Sequence, residues 1–152
     1  MVEINTKVQN NVMIDERQIL EFPHGILGFE NFHRFALLDA VQAPFYWLQS
    51  LDMKEIAFVM IDPKVFRPDY SLVLNEEEAK EVGLTSIPNE NALIFAIVTI
   101  PEEQASMTAN LLGPVVINKE TKIGCQFINN DSQYKTKHFI MEELAKVRNN
   151  AC

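Results

Sequence analysis

The chain is a succession of short apolar runs cut by polar turns. Val2–Thr6 alternates apolar and polar positions and predicts a first strand. Asn10-Asn11 marks a turn. Val12–Ile14 and Ile19–Phe22 follow as two short strands around the polar Asp15-Glu16-Arg17. Pro23-His24-Gly25 and Gly28 break the pattern, and Phe29–His33 predicts one helical turn with Phe29 and Phe32 inward. Phe35–Leu38, Tyr46–Leu51 and Ile56–Ile61 are rich in aromatic and branched side chains and read as three strands. Asp62-Pro63 ends that meander, and Tyr70–Leu74 reads as another strand.

A helix signal then appears. Asn75 is a good N-cap, Glu76, Glu77 and Glu78 fill a first turn that favours anions, and Gly83 is a stop. Ala92–Ile100 is continuously apolar, as a central strand buried on both faces would be. Met107–Asn118 is two apolar runs hinged at Gly113-Pro114, which predicts a buried strand pair with a corner between its halves. Asn118–Lys122 predicts a hairpin turn into Ile123–Ile128. From His138 to Asn150, Ile140, Leu144 and Val147 recur at helical spacing beside charged positions, so the chain ends in a helix with one apolar stripe. About ten strands and two brief helices predict an all-β or β-dominated fold. The expected architecture is a small antiparallel β-barrel-like domain over residues 1–139, closed or nearly closed, with a helical tail over 140–152.

At 152 residues the chain suits one domain that buries about 70% of its unfolded surface. The formal net charge of -8 changes the picture of partners. An acidic surface repels phosphates, which argues against direct nucleic-acid binding, and it steers basic protein partners towards the chain. Cys125 and Cys152 lie far apart and suggest neither a zinc site nor a disulfide, so a reducing cytosol fits best. The N-terminus lacks the basic-then-apolar pattern of a signal peptide, and the longest apolar run is far short of the ~20 residues that span a bilayer. These features predict a soluble intracellular protein with no membrane partner.

Candidate chemistry is sparse. His24, His33 and His138 have no metal-ligand spacing, and no phosphate loop, dinucleotide fingerprint or nucleophile elbow occurs. The carboxylate clusters adjoin turns or polar helix faces, where solvation is the ordinary role. Only Asp62 or Asp69 has surroundings that could suit an acid/base group, so an enzyme is the least favoured class. No cofactor or metal is expected. Three features look like binding surface: Pro44-Phe45-Tyr46-Trp47, Val65–Tyr70 with Phe66 and Tyr70 flanking a charged turn, and the terminal helix. Core packing is the simpler role for Phe45, Trp47 and Phe66.

The order of motifs resembles the FliW family of flagellar assembly factors. The similarity is carried by Phe22–Glu30, Arg34-Phe35, Pro44–Ser50, Ala57–Val59, Asp62-Pro63, Phe66 and Pro68–Tyr70. It continues through Ile97–Pro101, Met107–Leu111, Pro114–Asn118 and the Tyr134–Phe139 stretch, and so runs from about Ile4 to Phe139. Leu27 departs from it, standing where a proline is common in the family. The tail after Phe139 lies beyond it, and its role, partner contact or cover for a sheet edge, stays open.

The resemblance implies a cytoplasmic, non-enzymatic β-barrel-like protein with two protein partners. One is flagellin, held before export. The other is the RNA-binding translational repressor CsrA, antagonised in a partner switch when secretion depletes flagellin. The alternative is a flagellin-specific chaperone with no regulatory arm. The free protein is expected to be a monomer. For the repressor interface the sequence favours acidic positions near aromatics, Asp69 and Tyr70 with Glu76, Glu77 and Glu78. For flagellin it favours apolar surface near Phe45, Phe66 and the strand containing Asn110, and Tyr46 is a further partner-binding candidate. Whether Asn110 satisfies the barrel interior or faces a partner is open at this stage, with the interior preferred.

Overall fold

In the computed structural model, which describes residues 1–7 and 10–150, period-two alternation has become a sheet with two differently used faces. The elements in chain order are β1 (Val2–Thr6), β2 (Asn10–Ile14), β3 (Ile19–Glu21), β4 (Arg34–Asp39), β5 (Phe45–Ser50) and β6 (Ala57–Ile61). Then come α1 (Glu76–Ala79), β7 (Ala92–Thr99), β8 (Thr108–Asn118), β9 (Gly124–Gln126), β10 (His138–Phe139) and α2 (Ile140–Asn150). β1 and β2 form a separate hairpin. The others make one antiparallel sheet in the order β10-β8-β7-β6-β5-β4-β3, with β9 also on β8. The two ends of this sheet almost meet. Glu21 forms a parallel bridge with Ile123, and its N–H donates to the Lys122 carbonyl at 2.9 Å. The result is a nearly closed barrel, as the sequence predicts. Gly124 sits at that seam because a Cβ there would run into the Phe22 ring.

Cross-strand register assigns the faces, since side chains alternate and directly paired residues share a side. The inner face carries Leu20, Phe22, Phe35, Leu48, Met60, Phe95, Val115 and Ile117, all buried, with Phe22 and Phe35 edge-on at 5.2 Å between centroids. The outer face is covered in two parts. The β1–β2 hairpin lays Ile4 and Ile14 over Ala36 at one end. At the other end the chain from Phe66 to Ile87, Tyr134 and Ile140 of α2 pack on Ile61, Ala96, Val98, Ala109, Leu111 and Val116. Burying each large apolar side chain contributes about 1.5–3 kcal/mol, so these three clusters dominate the stability of the fold.

Several expectations are corrected. Asn10-Asn11 is not a turn: both residues lie in β2, Asn10 opposite Thr6, and Val8 and Gln9 fall outside the described residues. Phe29–His33 forms no helix. Gly25 (φ +66) and Gly28 (φ +89) instead fold the chain into reverse turns, and Phe29 bridges back to Ile26. Phe29 therefore stays partly exposed, edge-on to Phe58. Tyr70–Leu74 is not a strand. Its alternating Tyr70, Leu72 and Leu74 are buried, but only Leu74 pairs, with Ile87. Alternation there reports burial and not ladder formation.

The Met107–Asn118 pair is in fact one continuous strand of 11 residues. Its corner survives as an irregularity. Phe95 pairs with Val115 and Ile97 with Asn110, so four residues of β8 oppose one of β7. Gly113 donates its N–H to Asn110 Oδ1 at 2.8 Å, and the N–H groups of Leu111 and Leu112 reach the Lys135 carbonyl at 3.1 Å. The α1 prediction holds in detail, with an Asn75–Glu78 capping box and Gly83 left-handed at the stop. The terminal helix begins two residues later than predicted, because His138 and Phe139 pair with Ala109 and Thr108.

Candidate partner-binding groove

The two covers of the outer face do not meet. Leu38 of β4, Trp47 of β5 and Val59 of β6 are paired in one row across the sheet, and the strip they occupy is left open. Val12, Met13 and Ile14 of the hairpin form one wall, and Ile100 and Met107 from the β7–β8 connection form the other. Phe45 and Val41 complete one end. The groove has a volume of about 500 Å³, within the range of pockets that hold small molecules or peptide side chains. Its rim is apolar and wet: Val41 is 90% exposed, Met13 52% and Ile100 48%. Trp47 is the only tryptophan of the chain.

The floor is held rigidly. Gln49 is buried and its amide is fully used: Oε1 accepts from the Lys7 N–H at 2.9 Å, and Nε2 donates to the Ser50 and Lys54 carbonyls, both at 2.9 Å. At the opposite end the turn into β5 is closed by the Phe45 N–H on the Gln42 carbonyl and the Ala40 N–H on the Phe45 carbonyl, both at 3.1 Å. Asp39 is the one charged residue lining the groove among those described.

A separate polar surface surrounds Arg67. Its Nε lies 3.1 Å from Asp69 Oδ1, Nη1 lies 3.5 Å from Glu143, Nη2 donates to Gln133 Oε1 at 2.7 Å, and the guanidinium stands 5.3 Å from the Tyr134 ring centre. This clasp joins the loop after β6 to α2. Glu76 and Glu77 are exposed on α1, whereas Glu78 is half-buried and occupied in the capping box. Burial pushes the Cys125 thiol up to about 11, so it stays protonated and unreactive near neutrality. Among the described residues no three His, Cys, Asp or Glu side chains are grouped to hold a metal, and no helix is long and apolar enough to cross a membrane.

The residues favoured from sequence fall in different places. Phe45 lines the groove. Tyr46, its neighbour on the opposite face, turns inward against Phe95 at 5.2 Å. Phe66, for which core packing was the simpler role, is core, and Tyr70, favoured as a partner-binding residue, is core as well. Phe66 is wholly buried behind the 3-10 turn at Pro63–Val65, and the Tyr70 hydroxyl donates to the Leu111 carbonyl at 2.9 Å while accepting from Asn129 at 3.2 Å. Asn110 is half-buried on the inner-face row and is used by Gly113. Asp69, Glu76 and Glu77 are exposed but do not line the groove. Trp47, within the aromatic Pro44–Trp47 stretch singled out as possible binding surface, lies on the groove floor, whereas Met13, Val41, Ile100 and Met107 were missed as site residues. Val41 did carry a signal, as an apolar residue beside a turn where no strand needs one, whereas Ile100 reads as the end of the apolar Ala92–Ile100 run and is instead 48% exposed beyond β7.

Comparison with known proteins places this architecture. The family model described as FliW protein matches residues 3–140. A flagellar assembly factor FliW from Treponema denticola is 46% identical over 143 residues, covering 94% of this chain and 96% of that protein. The Treponema pallidum counterpart is 41% identical over 147 residues, covering 97% of each. A crystal structure of the flagellar assembly factor FliW superposes with a TM-score of 0.82 at 32% identity, over 91% of this chain and 96% of the other. A barrel-like sheet with this strand order, matched over nearly its whole length in sequence and in structure, belongs to the FliW family of flagellar assembly factors.

Proposed function

We propose that this protein is a non-enzymatic regulatory binding protein of the cytoplasm, which holds flagellin before export and antagonises a CsrA-type translational repressor in a partner switch. The observation that carries the reading is an apolar groove left open on a rigid sheet, in a chain of the FliW family whose net charge is -8. The groove offers burial to an apolar protein surface. The acidic exterior attracts a protein that is basic because it grips RNA, while it repels RNA itself. Control of translation then needs no contact between this chain and nucleic acid.

Titration calorimetry with purified flagellin and with the repressor tests the reading. Heat and co-elution with both partners are expected, and neither partner binding would overturn it. Binding of flagellin alone would leave a chaperone without a regulatory arm.

A further inference from the structure

We infer that the groove between the β1–β2 hairpin and the β7–β8 connection receives an apolar segment of a partner polypeptide bearing a lysine or arginine, whose cation is met by Asp39. The inference rests on the reading of the chain as a partner-binding flagellar assembly factor, and it adds which surface is used and what chemistry that surface selects.

Shape and charge both point to this occupant. The strip over Leu38, Trp47 and Val59 is only partly covered, because the two covers of the outer face pack on its edges and do not meet, and Val41, Met13 and Ile100 leave apolar surface wet around it. Such a rim gains stability only when apolar side chains enter between its walls. The charge then restricts the choice. Asp39 is exposed and unmatched by any lysine or arginine lining the groove, and the exposed Glu102 and Glu103 precede Gln104 on the far wall. A nucleic acid, an anionic lipid surface or an acidic peptide meets carboxylates of its own sign. A second copy would bring a surface of the same net charge, -8, to the groove. An apolar segment with a basic side chain satisfies the walls and the carboxylate together.

Trp47 on the floor is the sole tryptophan, so its emission reports occupancy directly. Overlapping synthetic peptides tiling flagellin and the repressor are titrated against the full chain. The peptides that shift Trp47 emission to the blue are expected to combine an apolar run with a lysine or arginine. Exchange of that residue for glutamate should weaken binding about tenfold or more in the natural chain and less than about threefold in Asp39→Asn. Asp39 and Val41 are exposed, so Asp39→Lys and Val41→Glu should fold normally yet lose the response. A charge exchange without effect overturns the inference, as does emission that moves with protein concentration alone, which assigns the groove to self-association. If both full-length partners bind natural chain, Asp39→Lys and Val41→Glu equally, the groove is excluded while the functional reading stands. If neither full-length partner binds but basic apolar peptides do, the functional reading fails and the groove chemistry stands.

Discussion

The guanidinium of Arg67 lies 3.5 Å from the Glu143 carboxylate and 5.3 Å from the centre of the Tyr134 ring, so one side chain ties the loop after β6 to the terminal helix. Both ionic partners are largely shielded, Arg67 at 20% and Glu143 at 14% side-chain exposure. Arg67→Met keeps much of the stem but removes the fork, leaving Glu143 without its cation. The expected cost is about 1–3 kcal/mol. Hydrogen exchange should show α2 amides losing protection while the β7–β8 ladder keeps it, because Ile140 is the only residue of α2 that is fully buried among those described.

His138 makes the same junction sensitive to acid. Its Nε2 accepts the Lys135 N–H at 2.8 Å, which requires that nitrogen to be unprotonated, and Nδ1 faces Glu143 at 3.8 Å. Burial holds the imidazole below its ordinary value of 6.5, assisted by Arg67 and Lys135 and opposed by Glu143. The folded state therefore binds a proton less readily than the unfolded state. Its contribution is fully present above the unfolded value and is lost as pH falls below about 6.5. In His138→Gln the fall in stability between neutral pH and the folded-state value should flatten. Urea midpoints measured across that range check it, and an unchanged slope would contradict it.

Gly124→Ala tests the barrel seam. The added methyl meets the ring of Phe22, which is itself locked against Phe35 inside a filled cluster. Overpacking of this kind costs about 1–3 kcal/mol. Gly113→Ala is the control, since its Cβ would meet only the amide ends of Gln126 and Asn110, at 3.0 and 3.2 Å, and these can move. Thermal unfolding should rank Gly124→Ala clearly below Gly113→Ala.

What was legible in the sequence follows from the range of the forces involved. The α1 cap, the strands β4 to β7 and the stripe on α2 are set by neighbours a few residues apart, and local pattern gave them correctly. Tyr70–Leu74 misled because alternation is equally produced by an extended segment lying on a core. Phe66 and Tyr70 were ambiguous because an aromatic beside a charged turn looks alike whether it points in or out. Their depth is decided by α2 and by the chain around Asn129, both far away in sequence. The groove was illegible for the same reason. It is a gap between two covers, the hairpin and the β7–β8 connection, and only the folded sheet brings Trp47 beneath both.

If the chain binds a basic repressor as proposed, the exposed Glu76 and Glu77 are the α1 charges free to steer it. Asn75 caps α1 through the Glu78 N–H at 2.8 Å, and Glu78 returns its carboxylate to the Asn75 N–H, so Glu78 is structural and a poor choice for charge reversal. Glu76 and Glu77 make no such bond and point their charge into solvent. Reversing both changes the long-range field with little effect on packing, apart from a lost helix-dipole contribution of about 0.3–1 kcal/mol each. Association with the repressor should slow by about tenfold at low ionic strength, with its salt dependence reduced, while dissociation changes little. Stopped-flow rates measured between about 0.01 and 0.15 M salt, where the screening length falls from about 30 to 8 Å, check this. Equal rates for the natural and reversed chains at the lowest salt would move the steering surface away from α1.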